Sequence, residues 1–330
     1  MADFKHIPTK PTLGLGCWAI GGPFFMEGRA VGWGEVDDNT SKAAIAVALD
    51  SGITHLDTAQ AYGCGQSEPV LGEALKARPD VAIATKIGLA IDTETKQLTG
   101  PITDPAHIRR TIDASRKRLG RDVIDMVLHH NNELPVQDAR PTFDMLATLY
   151  EEGVIAAYGW STDFPDSMTA FANHPGFTAV EHAMNVFRPA EPMVQSVEEA
   201  KQLSLIRSPL AMGLLGGKYD ANTQFSKDEI RGSNPGWQDY FKDGKITDHY
   251  MGQLNAVREI LRSDGRTLAQ GALSWLWGRT PNAMPIPGFR TPEQVHDLCG
   301  ALGHGPLSPD QMAEVEAVLD RSVTDHAKAS

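Results

Sequence analysis

From residue 13 to residue 301 the chain keeps one beat: a short apolar run, a loop, then an amphipathic stretch with apolar residues at helical spacing. The spacing predicts strands at residues 13–18, 54–57, 81–86, 123–130, 155–160, 178–184, 205–208 and 283–286. Helices are expected at 38–51, 67–76, 104–119, 139–152, 166–172, 193–203, 247–263, 268–277 and 292–301, with an additional C-terminal helix at 309–321. Start and stop signals agree: Asp104-Pro105 opens one helix and Gly120 closes it, while Gly153 ends the next. Strand-then-helix units repeated eight times, without a break in composition, imply an α/β chain forming a single domain over residues 1–330. The architecture expected is a TIM-type (β/α)8 barrel, which in one unit runs to ~250 residues or more.

Composition narrows the partners. A net charge of −12 and a pI near 5.3 argue against a broad nucleic-acid or anionic-membrane surface. Cys17, Cys64 and Cys299 are odd in number and lack CxxC spacing, so neither a disulfide framework nor a zinc cluster is indicated, and a reducing cytoplasm fits. The first residues lack the cationic-then-apolar order of a signal peptide, and no run approaches the ~20 apolar residues of a membrane span.

In barrels of this kind the active site lies at the carboxyl ends of the strands. Asp57, Lys86 and either His129 or His130 fall there on the second, third and fourth expected strands, and Tyr62 lies on the glycine-rich loop after the second. Successive side chains on a strand face opposite ways, so at most one of the two histidines looks into the site. A free tyrosine ionises near pH ~10, and a neighbouring ammonium would stabilise its phenolate. Tyr62 is therefore expected to be a general acid tuned by Lys86, with Asp57 holding the lysine charged.

Several stretches, in order, resemble the aldo-keto reductases: residues 56–68 (LDTAQAYGCGQSE), 84–86 (ATK), 125–130 (DMVLHH), 159–161 (GWS), 208–218 (SPLAMGLLGGK) and 285–288 (PIPG). Each is weak alone; together they span nearly the whole chain. The resemblance implies an NADPH-dependent oxidoreductase reducing an aldehyde, ketone or sugar carbonyl to the alcohol. The cofactor gives hydride to the carbonyl carbon, Tyr62 gives a proton to the oxygen, and His130 is the second donor aimed at that oxygen. The family's histidine lies five positions after the aspartate matched by Asp125, which selects His130 over His129.

The resemblance also implies cofactor positions. Ser161 matches the serine that contacts the nicotinamide amide, with Thr162 where asparagine is usual, Glu181 where glutamine is common, and Met184 at a position packing on the nicotinamide ring. Ser208, Pro209, Leu210, Ala211, Gly213 and Lys218 match the loop around the pyrophosphate. Gly288, Arg290, Gln294 and Asp297 match the adenosine end, where an arginine favours a 2′-phosphate and hence NADPH. Leu298 stands where asparagine is usual, and Arg231 is a further candidate for clasping phosphate. Trp18, Trp33 and Trp160 are expected to line the substrate pocket, with selectivity residing in loops 20–34, 131–139 and 217–245.

Two motifs mislead. Gly14-x-Gly16-x-x-Ala19 imitates a dinucleotide fingerprint, but Gly21-Gly22-Pro23 follows where a helix is required. Residues 213–219 suggest a P-loop, yet Tyr219 replaces the Ser or Thr that holds magnesium. Two rival classes are a metal-dependent hydrolase using Asp57, His130 and Glu181, and a nucleotide-binding auxiliary subunit with little turnover. The first lacks a dense ligand set, so no metal is expected. The second is disfavoured by retention of all four polar groups.

Overall fold

In the computed structural model, which describes residues 2–281 and 283–319, eight parallel strands are hydrogen-bonded side by side in chain order. They are β1 (Leu15–Gly16), β2 (His55–Asp57), β3 (Ala82–Ile87), β4 (Met126–His129), β5 (Tyr158–Ser161), β6 (Phe177–Ala183), β7 (Leu203–Arg207) and β8 (Ala283–Pro285). Gly14 N–H donates to Pro285 O at 3.0 Å, and Gly16 bridges Gly288, so the last strand meets the first. The closed sheet is the expected (β/α)8 barrel. Among the described residues ten α-helices alternate with these strands or follow them: α1 (Asp38–Asp50), α2 (Ser67–Ala74), α3 (Pro105–Leu119), α4 (Val136–Glu151), α5 (Pro165–Thr169), α6 (Glu191–Ala200), α7 (Asp248–Arg262), α8 (Leu268–Arg279), α9 (Pro292–His304) and α10 (Pro309–Leu319). The additional C-terminal helix is α10, packed on α7 and α8; residues 320–321 of the expected helix lie outside the described residues.

Alternation along each strand decides which side chains enter the barrel. Ala82 and Ala84 on β3, Met126 and Leu128 on β4, Ala157 before β5, Ala179 on β6, Leu203 and Leu205 on β7 and Met284 on β8 form one buried interior cluster with Phe4. The N-terminal segment carries Phe4 to the amino end of the barrel, held where Thr178 Oγ1 donates to Phe4 O at 3.0 Å and the His55 ring meets Asp3 O at 2.9 Å. The opposite phase, Val127, Tyr158, Trp160 and Val180, packs outward with Phe143, Leu146 and Phe171 of the helical layer.

Helix ends follow their caps. Asp37, Asp104, Thr267 and Thr291 each accept a backbone N–H from the first turn of α1, α3, α8 and α9 respectively, and Gly120 ends α3 in a left-handed conformation. Four short strands not anticipated from the sequence, Phe25–Met26, Arg29–Ala30, Leu89–Asp92 and Gln97–Pro101, form a second sheet from the loops after β1 and β3. It buttresses the loop carrying Tyr62: Gln60 Nε2 donates to Leu89 O, and Lys96 Nζ to Gly63 O at 3.1 Å. Among the described residues no helix is long and apolar enough to cross a membrane.

Candidate active site

Two residues beyond the apolar interior layer, the same inward phase brings polar groups into the carboxyl end of the barrel. Lys86 follows Ala82 and Ala84, Glu181 follows Ala179, Ser161 follows Ala157 and Gly159, His130 follows Met126 and Leu128, and Arg207 follows Leu203 and Leu205. Asp57 ends β2. The loop after it is fixed by close backbone contact. A Cβ on Gly63 would lie 1.7 Å from Gly21 O, and its φ of +62° is one that glycine adopts without strain. Further ties are Thr58 Oγ1 to Ser67 Oγ at 2.8 Å and Ser67 Oγ to Cys17 O at 3.2 Å. Glu68, fully buried, accepts from Thr85 Oγ1 at 2.6 Å and from Arg118 Nε at 2.7 Å, which locks α2 to β3 and α3.

Lys86 is fully buried, and its Nζ donates to Asp57 Oδ1, to Tyr62 OH at 3.0 Å and to Thr58 O at 3.1 Å; Glu181 Oε2 lies 3.2 Å away. Burial alone would lower the lysine's affinity for its proton, but the Asp57 and Glu181 charges outweigh it and hold Lys86 above its ordinary value. The His130 ring stands edge-on to Tyr62, centroids 5.8 Å apart. Burial, aided by the Lys86 charge, holds His130 well below the usual imidazole range, which favours the neutral ring. His129 turns the other way, against Phe143 and Trp160, where burial pushes it down to about 4. Of the two adjacent histidines, His130 is the one beside Tyr62.

Tyr62 lies under opposing influences. Burial raises the phenol above its ordinary value; Lys86 pulls it down, but Asp57 and Glu181 push it up. One ammonium beside two carboxyls does not deliver its full field to the hydroxyl.

Trp18 stacks over Tyr62 (centroids 6.1 Å, 22°), and Trp33 stands edge-on to Trp18 at 5.3 Å, so both stand on the Tyr62 side of the rim. Trp237, half exposed in the loop after β7 and 6.3 Å from Trp18, completes this aromatic wall; its place in a polar loop gave no periodic signal. Trp160 does not join it. Tyr158 and Trp160 share the outward phase, and Trp160 is fully buried with its indole N–H on Asn131 O at 2.9 Å. Met184 is also corrected: it continues the outward phase of Val180 and His182 and is fully buried in the core with Val186 and Ile206. The inward residue at that level is Arg207 on β7, ion-paired with Asp163.

The remaining expected positions lie around the same rim. Ser161 Oγ donates to Glu181 Oε1 at 3.3 Å, whereas Thr162 turns its hydroxyl to Asn132 O at 2.9 Å. Between Ser208 and Gly213 the backbone adopts positive φ at Ser208 (54°), Ala211 (47°), Met212 (55°) and Gly213 (93°), around buried Pro209 and half-buried Leu210. Such strain in three non-glycine residues is characteristic of loops shaped to a ligand, and Lys218 stands exposed beyond it. Gly288 is exposed beside the start of α9, where Gln294 Oε1 accepts the Arg290 N–H at 2.7 Å. The Arg290 guanidinium donates to Trp33 O at 2.9 Å and to Glu35 O. Asp297 accepts from Gln270 Nε2 at 3.1 Å, joining α9 to α8, and Leu298 is buried in the core. Arg231 is not free to clasp a phosphate. It pairs in bidentate fashion with Glu229 (2.7 to 3.1 Å), donates to Tyr219 OH at 2.7 Å and lies over the Phe225, Trp33 and Tyr219 rings, tying the long loop to the first. Among the described residues no cluster of three or more His, Cys, Asp or Glu side chains is arranged to hold a metal ion.

Comparison with known proteins places this geometry. The model of the aldo/keto reductase family matches residues 12–320. The aldo-keto reductase YhdN of Bacillus subtilis is 30% identical over 320 residues, covering 95% of this chain and 91% of that protein. The aldo-keto reductase yakc [NADP(+)] of Schizosaccharomyces pombe is 25% identical, covering 95% and 90%. Among solved structures, the glycerol dehydrogenase AKR11B4 from Gluconobacter oxydans superposes with a TM-score of 0.79 at 28% identity, covering 100% of this chain and 99% of that one. An aldo/keto reductase from Klebsiella pneumoniae in complex with NADP and acetate shares the fold, with a TM-score of 0.67 at 21% identity and coverage of 94% and 92%.

Proposed function

The chain belongs to the aldo-keto reductase family, and on that premise we propose that it is an NADPH-dependent reductase, one catalytic domain that turns an aldehyde, ketone or sugar carbonyl into the alcohol with Tyr62 as general acid. The observation that carries this reading is the buried Asp57–Lys86–Tyr62 chain, with Tyr62 OH 3.0 Å from the ammonium and the neutral His130 ring beside it.

When bound, the nicotinamide supplies hydride to the carbonyl carbon. What the chain supplies is a response to the negative charge that then builds on the oxygen. Tyr62 and His130 converge from adjacent loops as two donors for that oxygen, and Lys86 stands behind Tyr62 to stabilise the phenolate left when its proton goes. Trp18, Trp33 and Trp237 exclude water from one side and offer flat apolar surface to the carbon skeleton.

The strained Ser208–Gly213 turn and Lys218 suit a pyrophosphate, Ser161 and Glu181 would hold the carboxamide, and the α9 start with Arg290 and Gln294 suits a 2′-phosphate. Two relatives point the same way: yakc carries NADP(+) in its name, and the Klebsiella protein was solved with NADP. The likeness to a glycerol dehydrogenase makes polyol oxidation the natural reverse assay.

The test is a panel of aldehydes, ketones and sugars followed by loss of NADPH absorbance, with glycerol and other alcohols run against NADP+. Carbonyl-dependent oxidation of NADPH, insensitive to chelators, supports the assignment. NADPH binding with no turnover on any substrate would indicate a nucleotide-binding subunit instead.

A further inference from the structure

At the centre of the site two carboxyl groups share one cation. Asp57 and Glu181 flank Lys86 from β2 and β6, the lysine is fully buried, and the acids are 3% and 2% exposed, which leaves no solvent to screen a second negative charge. One oxygen of each, Asp57 Oδ2 and Glu181 Oε2, is buried without a hydrogen-bond donor, although Glu181 Oε2 lies within ion-pair range of the ammonium. Two acceptors cannot satisfy one another as carboxylates. A single proton between the two groups turns that pair into a donor and an acceptor.

Resting on the reductase reading above, we propose that Asp57 and Glu181 hold one proton in common, and that Glu181 is thereby a positioning residue whose shared proton restores Tyr62 after each reduction. Burial first, and the Glu181 charge second, hold the Asp57 carboxyl well above the ordinary carboxylate range, as a retained proton requires. The other charged and titratable groups facing the pair are Lys86 from β3, Tyr62 after β2 and Cys17 after β1, with the Ser161 hydroxyl on Glu181 from β5; His130 after β4 stands beyond them beside Tyr62, and Arg207 at the end of β7 acts on His130.

The proton count closes. The Tyr62 O–H bond breaks as the substrate O–H bond forms. The phenolate takes a proton from Lys86 Nζ across the 3.0 Å contact, and the neutral amine takes the shared proton from the carboxyl pair. Lys86 ends charged, Tyr62 ends as phenol, and the pair ends as two carboxylates, which regain one proton along the same Tyr62–Lys86 path from water that enters once the product has left. With the proton present the three groups sum to zero charge and Lys86 exerts its field on Tyr62; without it an extra negative charge opposes that field. A glutamine at 181 fills similar volume but neither stores nor releases this proton.

Infrared spectroscopy of the cofactor-free protein at neutral pH tests the shared proton directly, with the pH profile of kcat as a second readout. The wild type is expected to show the carbonyl stretch of a buried protonated carboxyl, and Glu181→Gln to lack it while keeping a wild-type urea midpoint or better. In turnover, kcat of the wild type falls at alkaline pH as the shared proton is lost, and Glu181→Gln loses that limb. No protonated-carboxyl band in the wild type, or a band that survives Glu181→Gln unchanged, overturns the proposal. Should the band behave as expected in a protein that oxidises no NADPH, the shared proton stands and the reductase reading fails.

Discussion

At the amino end of the barrel the inward positions are Ala82, Met126, Leu203 and Met284, closed by Phe4, whereas farther along the same sheet they are Asp57, Lys86, Glu181 and Arg207. Strand geometry and alternation are the same at both levels; only the chemistry changes. The lower level gains free energy by taking apolar surface out of water, about 25 cal/mol per Å². The upper level costs desolvation, offset only because each charge meets another. The contrast separates residues that hold the fold from those proposed to act in the reaction.

The sharpest way to break the upper level is Lys86→Met. It strands Asp57 and Glu181 without their cation and should lower stability by about 3–5 kcal/mol as well as abolish turnover, read from urea midpoints and NADPH oxidation. A stable Lys86→Met protein would show that the carboxyls need no partner. The matching cut at the lower level, Phe4→Ala, should cost about 3–5 kcal/mol through the cavity it leaves while the pH profile of kcat stays unchanged. A shifted profile would mean the two levels are coupled.

At the rim, Arg290→Ala should weaken NADPH about tenfold more than NADH, the size of a lost charge-assisted hydrogen bond. Because Arg290 also braces the carbonyls of Trp33 and Glu35, equal loss for both nucleotides in a binding titration would assign it to loop support alone.

The smallest effect is expected for His129→Leu, on the outward phase. Burial depresses His129 from 6.5 to about 4, so the stability tied to its neutral form is present above pH 6.5 and is lost as pH falls towards 4. Leucine removes that loss without touching turnover, and His182, depressed similarly to about 4, leaves part of the acid sensitivity in place. An unchanged stability-versus-pH curve would contradict the placement of His129 in the dry layer.

Much of this contrast was legible in the sequence. The eight-beat rhythm placed every barrel strand, and Asp57, Tyr62, Lys86 and His130 converge because three of them end or follow adjacent strands. Phase counting failed where a strand was read one residue too long or by motif alone: Trp160 and Met184 lie on the outward phase, and Arg207 holds the inward place. Arg231 looked free because its partners Glu229, Tyr219 and Trp33 are brought to it by loop folding that periodicity does not report. The second sheet escaped notice since strands as short as Phe25–Met26 carry no alternation to read, and Trp237 reaches the site through a long loop after β7.

The most direct test of the central claim, that Tyr62 backed by Lys86 delivers the proton, is single-turnover NADPH oxidation by Tyr62→Phe alongside NADPH binding by fluorescence titration. The phenyl ring keeps the stack with Trp18 and the volume, so binding should stay within about twofold while the rate falls by about 10²–10⁴. Near wild-type rates in that variant would contradict the account.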